Sequence, residues 1–114
     1  MLTKKNRLAK KKDFERVYRR GKSFFSREMG IKAIKNNLDV SRFGFVASLK
    51  VSKKAVERNR IKRRLREIVR KALPRLESGF DCVILTRPEI KELKYQELGE
   101  RAMMILGRMG VLKK

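Results

Sequence analysis

Histidine is absent from this chain, and cysteine occurs once, at Cys82. Because these two residue types supply most zinc ligands and most paired nucleophiles and bases, neither a Cys/His zinc site nor a Ser/His or Cys/His pair can be built. The 12 acidic residues are scattered and form no cluster that would assemble a two-metal nuclease on its own. We therefore predict no catalytic residue and no metal site in this chain, so a partner has to supply any reactive groups.

Long hydrophobic runs are missing as well. No apolar stretch approaches the roughly 18 residues that span a bilayer, and the basic N-terminus MLTKKNRLAKKKDF lacks the apolar segment of a secretory signal. The lone cysteine lies in the apolar run CVILT, which predicts a buried thiol in a strand and excludes a disulfide within the chain. These features predict a reducing, cytoplasmic location.

Negative charge is scarce, since 33 Lys and Arg stand against 12 Asp and Glu and give a formal net charge of +21. A charge this one-sided destabilises a compact domain through self-repulsion. A polyanion would relieve it, and nucleic acid, an anionic membrane surface and an acidic protein are the candidates. The chain has 114 residues, 41% of them hydrophobic, which is enough for one domain with one modest core.

The spacing of the apolar residues predicts a single α+β domain over residues 1–114, a two-layer sandwich of helices and strands. Residues 1–9 are basic and aperiodic, which predicts a mobile arm. The predicted elements are a helix over KKKDFERVYRRG, a strand from Lys22 to Asn36 bent at Arg27, a turn at NNLD, a strand RFGFVASLK, a helix from about Ser52 to Leu76, a buried strand FDCVILTRP and a helix from about Lys91 to Met109.

The long predicted helix contains VERNRIKRRLREIVRKAL (Val56 to Leu73), whose apolar residues recur every three or four positions and form one core-facing stripe. Its outward face is mostly arginine, which binds phosphate oxygens in pairs and stacks on bases. A solvated charged face is the alternative, although such faces usually mix both signs of charge. A DNA-reading helix usually follows another helix, whereas this one follows a strand, so DNA is not the predicted partner.

Two aromatic residues of the first predicted helix, Phe14 and Tyr18, form a second candidate site among arginines. One possibility is that both residues pack in the hydrophobic core and have no direct role in binding. If they are exposed, bases of single-stranded RNA can stack on them, at about 1–3 kcal/mol per base.

Residues 52–66 follow the spacing SxxAxxRNRIKRxLR, which resembles the signature of the bacterial ribonuclease P protein component. The likeness extends to NRLAKKKDFERVYRRGKS, RFGFVASLK and GFDCVILTRPE, so it covers nearly the whole chain. It implies a sandwich with an unusual left-handed βαβ crossover. It also implies a subunit that joins a catalytic RNA and helps it to remove the 5′ leader of precursor tRNA, with Mg²⁺ bound mainly by the RNA.

The resemblance also assigns site residues. Those matching the motif that contacts the catalytic RNA are Arg58, Asn59, Arg60, Lys62 and Arg63, with Arg66 on the same outward face. Those matching the leader-binding cleft are Phe14 and Tyr18 and, more loosely, Ser48 and Lys50.

The chain departs from the family pattern at two places. The loop VSKKA stands where many members have a Gly-Asn pair, and Lys32 stands near a position where some relatives carry an aromatic. A ribosomal or general RNA-binding protein is the alternative function, and a self-sufficient nuclease is disfavoured by the missing histidines.

Overall fold

A computed structural model describes residues 2–113 of the chain. Its strands and α-helices are α1 (Lys11–Arg20), β1 (Lys22–Phe25), β2 (Met29–Lys35), β3 (Arg42–Val46), α2 (Ala55–Ala72), β4 (Phe80–Thr86) and α3 (Tyr95–Arg108). Short 3₁₀ helices occupy Lys4–Asn6, Leu73–Arg75 and Pro88–Glu92. None of the helices in residues 2–113 combines the length and the hydrophobicity needed to cross a bilayer.

The four strands form one mixed sheet in the order β1-β2-β4-β3. β1 with β2 and β2 with β4 pair antiparallel, whereas β3 and β4 are parallel neighbours. The connection between β3 and β4 is the long basic helix α2, so the predicted crossover unit is present and the α+β class is confirmed. Its left-handed sense stays a prediction.

Helices pack on both faces of this sheet. The main core lies under α2 and α3 and includes Ile31, Phe43 and Ile84. A smaller cluster lies on the opposite face, where Val17 of α1 packs against Val83 of β4. The helix α1 therefore covers part of this second face of the sheet.

The predicted bent strand from Lys22 to Asn36 is wrong, because the structure has two antiparallel strands there. Ser26 closes the turn between them: its backbone N–H donates to the Met29 carbonyl at 2.8 Å, and its hydroxyl donates to the same oxygen at 3.1 Å. The reversal also places Phe25 on the face of the sheet opposite Met29. The turn predicted at NNLD is present, with Asn37 at a φ of 61°.

The N-terminal segment is packed against the sheet, where the sequence had predicted a mobile arm. Leu2 is 1% exposed in the main core and Leu8 is 5% exposed in the smaller cluster. The Leu8 N–H donates to the Phe43 carbonyl at 3.0 Å, and the Asn6 side-chain amide donates to the Ser41 carbonyl at 2.8 Å. Two widely spaced leucines, separated by the short 3₁₀ helix at Lys4–Asn6, leave no periodic signal, so the basic residues between them dominate the sequence pattern.

A buried carboxylate connects α1 to the sheet. The side chain of Asp81, at the start of β4, is fully buried. It accepts two hydrogen bonds from Arg42, at 2.8 and 2.7 Å, one from Arg16 of α1 at 2.7 Å, and one from the Asn36 amide at 2.8 Å. Arg42 also lies 3.4 Å from Asp13 of α1. We call Asp81, Arg42, Arg16 and Asn36 the Asp81 cluster.

The Asp81 cluster keeps the carboxylate ionised. Burial by itself raises the pKa of Asp81, but hydrogen bonds from Arg42, Asn36 and Arg16, together with the charge of Arg42, outweigh burial. The pKa of Asp81 therefore lies below its ordinary value of 3.8. Stability gained from this lowered pKa is fully present above 3.8 and is lost as the pH falls through the folded-state pKa.

We predict that Asp81→Asn lowers the free energy of unfolding by about 3 kcal/mol at neutral pH, because it leaves two arginines without their buried partner. Urea denaturation measures this change. The control Glu92→Gln removes an exposed ion pair with Arg27 and should cost less than about 1 kcal/mol.

The same pair of proteins tests the pH dependence. The difference in the free energy of unfolding between wild type and Asp81→Asn should become smaller as the pH is lowered below 3.8. A gap that stays constant with pH would show that the ionised carboxylate is not what holds the cluster.

Candidate nucleic-acid interface

The loop before α2 is organised by Ser52, the first residue of the family-like spacing. Its hydroxyl donates to the Glu57 carboxylate at 2.6 Å and accepts from the Lys54 N–H at 3.1 Å, while its carbonyl accepts from the Arg58 guanidinium at 2.9 Å. The Ser52 hydrogen bond holds the pKa of Glu57 below its ordinary value. Arg58 thus folds back over the loop and is half-buried.

The basic residues of α2 lie on different sides of the helix. Arg58, Lys62 and Arg66 recur every four residues along one flank, and the Arg66 guanidinium lies 5.8 Å from the Phe45 ring centroid on β3. Asn59 and Arg63 are exposed beside this flank. We call these five residues the α2 basic face.

Arg60 lies apart from the α2 basic face. It lines a hollow between α2 and the segment before α3, together with Arg64, Ile90 and Lys91. It is exposed, but it points towards the opposite flank of the helix. The six predicted RNA-binding residues therefore wrap around the exposed half of α2 and do not form one patch.

The positive charge of α2 is largely uncompensated within residues 2–113. The one ion pair on this helix joins Arg70 to Glu67, beyond the motif. Among the described residues, the side chains of Arg60, Lys62 and Arg63 form no ion pair, although the charge of Arg60 helps to lower the pKa of the nearby Glu57. Such an arrangement binds polyanions, because the phosphates supply the counter-charge that the chain lacks.

The two predicted cleft aromatics differ in exposure. Phe14 is half-buried and its ring rests on Gly44 of β3, where an added Cβ would lie 2.4 Å from the Phe14 Cζ atom. Tyr18 is 40% exposed, and the two ring centroids are 6.4 Å apart. Phe14 is thus partly a core residue, whereas Tyr18 offers its ring to solvent. Burial raises the pKa of Tyr18, so its phenol stays neutral at physiological pH.

Lys32, on β2, lies beside Tyr18. Its Nζ atom is 5.7 Å from the Tyr18 ring centroid, a cation–π distance. This ammonium therefore covers part of the Tyr18 ring and places a positive charge on the cleft floor. We call Phe14, Tyr18 and Lys32 the aromatic cleft.

Ser48 and Lys50 connect the aromatic cleft to α2. Both are exposed in the turn after β3, where the Ser48 carbonyl accepts from the Val51 N–H at 3.0 Å. The short loop that follows leads directly into α2 at Ala55.

The sequence did not indicate two features of this region. The apolar pattern predicted that the strand containing Asp81 is buried, but it gave no indication that Asp81 binds α1. Phe25 pairs with Gly30 across the hairpin, a contact that a single bent strand does not predict. Only the strand register reveals both, because pairing decides which side chains share a face.

A mixed sheet with an uncompensated arginine face and an aromatic cleft defines a small basic protein of the RNA-binding class. A family model described as Ribonuclease P matches residues 2–110. The chain belongs to the ribonuclease P protein family.

Known proteins resemble the chain over nearly its whole length. The ribonuclease P protein component of a Pseudanabaena species is 39% identical over 98% of this chain and 97% of its own. That of Pelotomaculum thermopropionicum is 40% identical over 89% of each chain. The solved RNase P protein of Staphylococcus aureus has a TM-score of 0.87 at 27% identity, covering 95% of this chain and 98% of that one. The Thermotoga maritima structure has a TM-score of 0.81 at 32% identity, covering 90% and 96%.

Membership of this family confirms the resemblance found in the sequence. The chain is a protein component of the endoribonuclease ribonuclease P, with a role in tRNA 5′ processing. Membership of this family implies that the chain is a partner of the ribonuclease P RNA.

We predict that Gly44→Ala destabilises the protein by about 1–2 kcal/mol, because the new methyl group displaces the Phe14 ring. Gly99→Ala is the matched control: its added Cβ would meet Ile68 at an ordinary 3.8 Å, and alanine in a helix should stabilise by about 0.5–1 kcal/mol. Urea denaturation should therefore give shifts of opposite sign. A neutral or stabilising Gly44→Ala would contradict the close contact between Phe14 and Gly44.

Proposed function

We propose that this chain docks on the ribonuclease P RNA through α2 and holds the single-stranded 5′ leader of precursor tRNA in the aromatic cleft. The uncompensated charge of α2 carries the proposal. Arg58, Asn59, Arg60, Lys62, Arg63 and Arg66 contact the RNA subunit. The guanidinium groups of this set pair with phosphate oxygens, and the half-buried Arg58 and Arg66 are held in place by Ser52 and Phe45.

The leader lies on the opposite side of the sheet from the α2 and α3 layer. Tyr18 offers an exposed ring for a base, and Lys32 offers an ammonium for a phosphate. Ser48 and Lys50, at the end of β3, take the segment of leader nearest α2. A leader and an RNA subunit can then be bound at once, because the two sites are on different elements.

Hydrolysis belongs to the RNA subunit with its Mg²⁺ ions in this proposal. Among residues 2–113, no three carboxylate, cysteine or histidine side chains converge on one point, and Asp81 is already saturated by arginine and asparagine. The protein acts by position and charge: it lowers the Mg²⁺ concentration that the RNA requires and raises the affinity for leader-bearing substrate. Precursor tRNA and the RNA subunit are its partners.

Reconstitution tests this function. The purified chain is mixed with a bacterial ribonuclease P RNA and a precursor tRNA at low Mg²⁺, and release of the 5′ leader is followed. We expect the protein to stimulate cleavage and to cleave nothing by itself. A lack of stimulation would favour a general RNA-binding protein, and cleavage without the RNA would point to a nuclease.

We predict that Arg60→Gln combined with Arg63→Gln weakens assembly with the RNA subunit. The plot of log affinity against log salt should become shallower by about two, since each lost cation removes about one phosphate contact. Filter binding across a salt series measures both quantities.

The control removes the same charge from the β1–β2 hairpin, as Lys22→Gln with Lys35→Gln. Both lysines are exposed on β1 and β2, away from α2. If the plot of log affinity against log salt becomes equally shallow for the control, the total charge of the protein governs assembly and the α2 surface has no special role.

We predict that Tyr18→Ala weakens binding of leader-bearing precursor by about fivefold to a hundredfold, as expected for one lost stacking partner. Affinity for mature tRNA and for the RNA subunit should stay unchanged. Tyr18 is the sharper test, because Phe14 also packs on Gly44 and its removal would disturb the fold. Equal weakening for both tRNAs would contradict a leader site at Tyr18.

A further inference from the structure

The face of the sheet that carries the aromatic cleft continues beyond it to a second aromatic residue. Phe25 of β1 pairs with Gly30 of β2, and Gly30 lies two residues before Lys32 on the same strand, so all three share one face. Two residues span about 7 Å along a strand. Phe25 therefore follows the Tyr18–Lys32 contact at a short distance on the same surface.

Gly30 makes room for the Phe25 ring. A Cβ atom at Gly30 would lie 2.1 Å from Phe25 Cδ2 and 2.2 Å from Cε2, so the ring lies directly on the glycine backbone. The residue is still 40% exposed. Any larger residue at Gly30 would push this ring away from the sheet.

An arginine covers the exposed side of the Phe25 ring. The Arg87 guanidinium carbon is 4.8 Å from the Phe25 ring centroid, the shortest of the five cation–π contacts found in residues 2–113. The Arg87 backbone N–H donates to the Glu28 carbonyl at 3.0 Å, which ties the start of this side chain to the β1–β2 turn. The guanidinium itself has no carboxylate partner among the described residues.

We propose that Phe25 and Arg87 form a second site for one nucleotide of single-stranded RNA, which extends the aromatic cleft along the leader. This inference rests on the proposed leader binding. Because Gly30 and Arg87 flank the Phe25 ring, the base stacks on the outer plane of the Arg87 guanidinium, which the ring supports, and the N–H groups of Arg87 remain free to bind the phosphate. The net charge of +21 and continuity with Tyr18 and Lys32 favour an RNA strand as the occupant.

The opposite face of the same sheet supplies a matched control. Phe24 is the neighbour of Phe25 on β1 but packs against the main core, and the Arg108 guanidinium lies 5.4 Å from its ring centroid. Arg108→Gln therefore removes one charge and one cation–π contact, as Arg87→Gln does, on the face away from the cleft.

The test uses the reconstituted holoenzyme and a series of precursor tRNAs whose leader is lengthened one nucleotide at a time. We expect Arg87→Gln and Phe25→Leu to bind short leaders like wild type and to lose about tenfold in affinity once the leader reaches the second site. Arg108→Gln should follow wild type at every length. Tyr18→Ala should lose affinity from a shorter leader onwards.

If affinity depends on leader length in the same way for wild type, Arg87→Gln and Phe25→Leu, the proposed site at Phe25 and Arg87 is wrong. The proposed leader site at Tyr18 would be unaffected by that result. If wild-type affinity does not depend on leader length at all, the proposed leader binding fails and the second site fails with it. Arg87→Gln leaves the core untouched, so its result stands even if Phe25→Leu proves unstable.

Discussion

The arrangement of this protein depends on one buried carboxylate. Asp81 sits on the central strand β4 and binds Arg42 from β3 and Arg16 from α1. Apart from it, α1 is held to the sheet mainly by Val17 and the partly buried Phe14. Because Phe14 and Tyr18 belong to α1, the ion cluster determines where the aromatic cleft lies. A purely apolar contact would let a ten-residue helix slide, whereas the hydrogen bond from Arg16 to Asp81 and the contact of Asp13 with Arg42 fix its position on the sheet.

Charge is distributed in two ways in the molecule. Around Asp81, opposite charges are paired and partly buried, so they stabilise the fold. On α2, positive charges are left without partners and remain available to a polyanion. Arg58 and Arg66 fall between these cases, because a carbonyl and an aromatic ring orient them without neutralising them. The protein therefore positions cations for RNA at a cost in self-repulsion that only a bound polyanion relieves.

The sequence predicted the elements whose apolar pattern is long and regular, namely α2, β4 and α3. It did not predict the β1–β2 hairpin. The turn at Ser26 interrupts the alternation of apolar residues, and from the sequence alone such an interruption cannot be distinguished from a bend within one strand. The sequence pattern also missed the packing of Leu2 and Leu8, which depends on contacts far apart in sequence. The site residues came from the resemblance, but the contact between Lys32 and Tyr18 and the pairing of Phe25 with Arg87 depend on register and appear only in three dimensions.

The central claim is that α2 contacts the RNA subunit while α1 contacts the leader, and tethered hydroxyl-radical cleavage tests it most directly. Burial raises the pKa of the Cys82 thiol, so a cysteine introduced at the surface is the reactive one. Val56, 70% exposed in the first turn of α2, and Glu15, one turn from Tyr18, are suitable positions for Val56→Cys and Glu15→Cys. We expect the reagent on α2 to cleave the RNA subunit and that on α1 to cleave the leader. Leader cleavage from α2 but not from α1 would contradict the account.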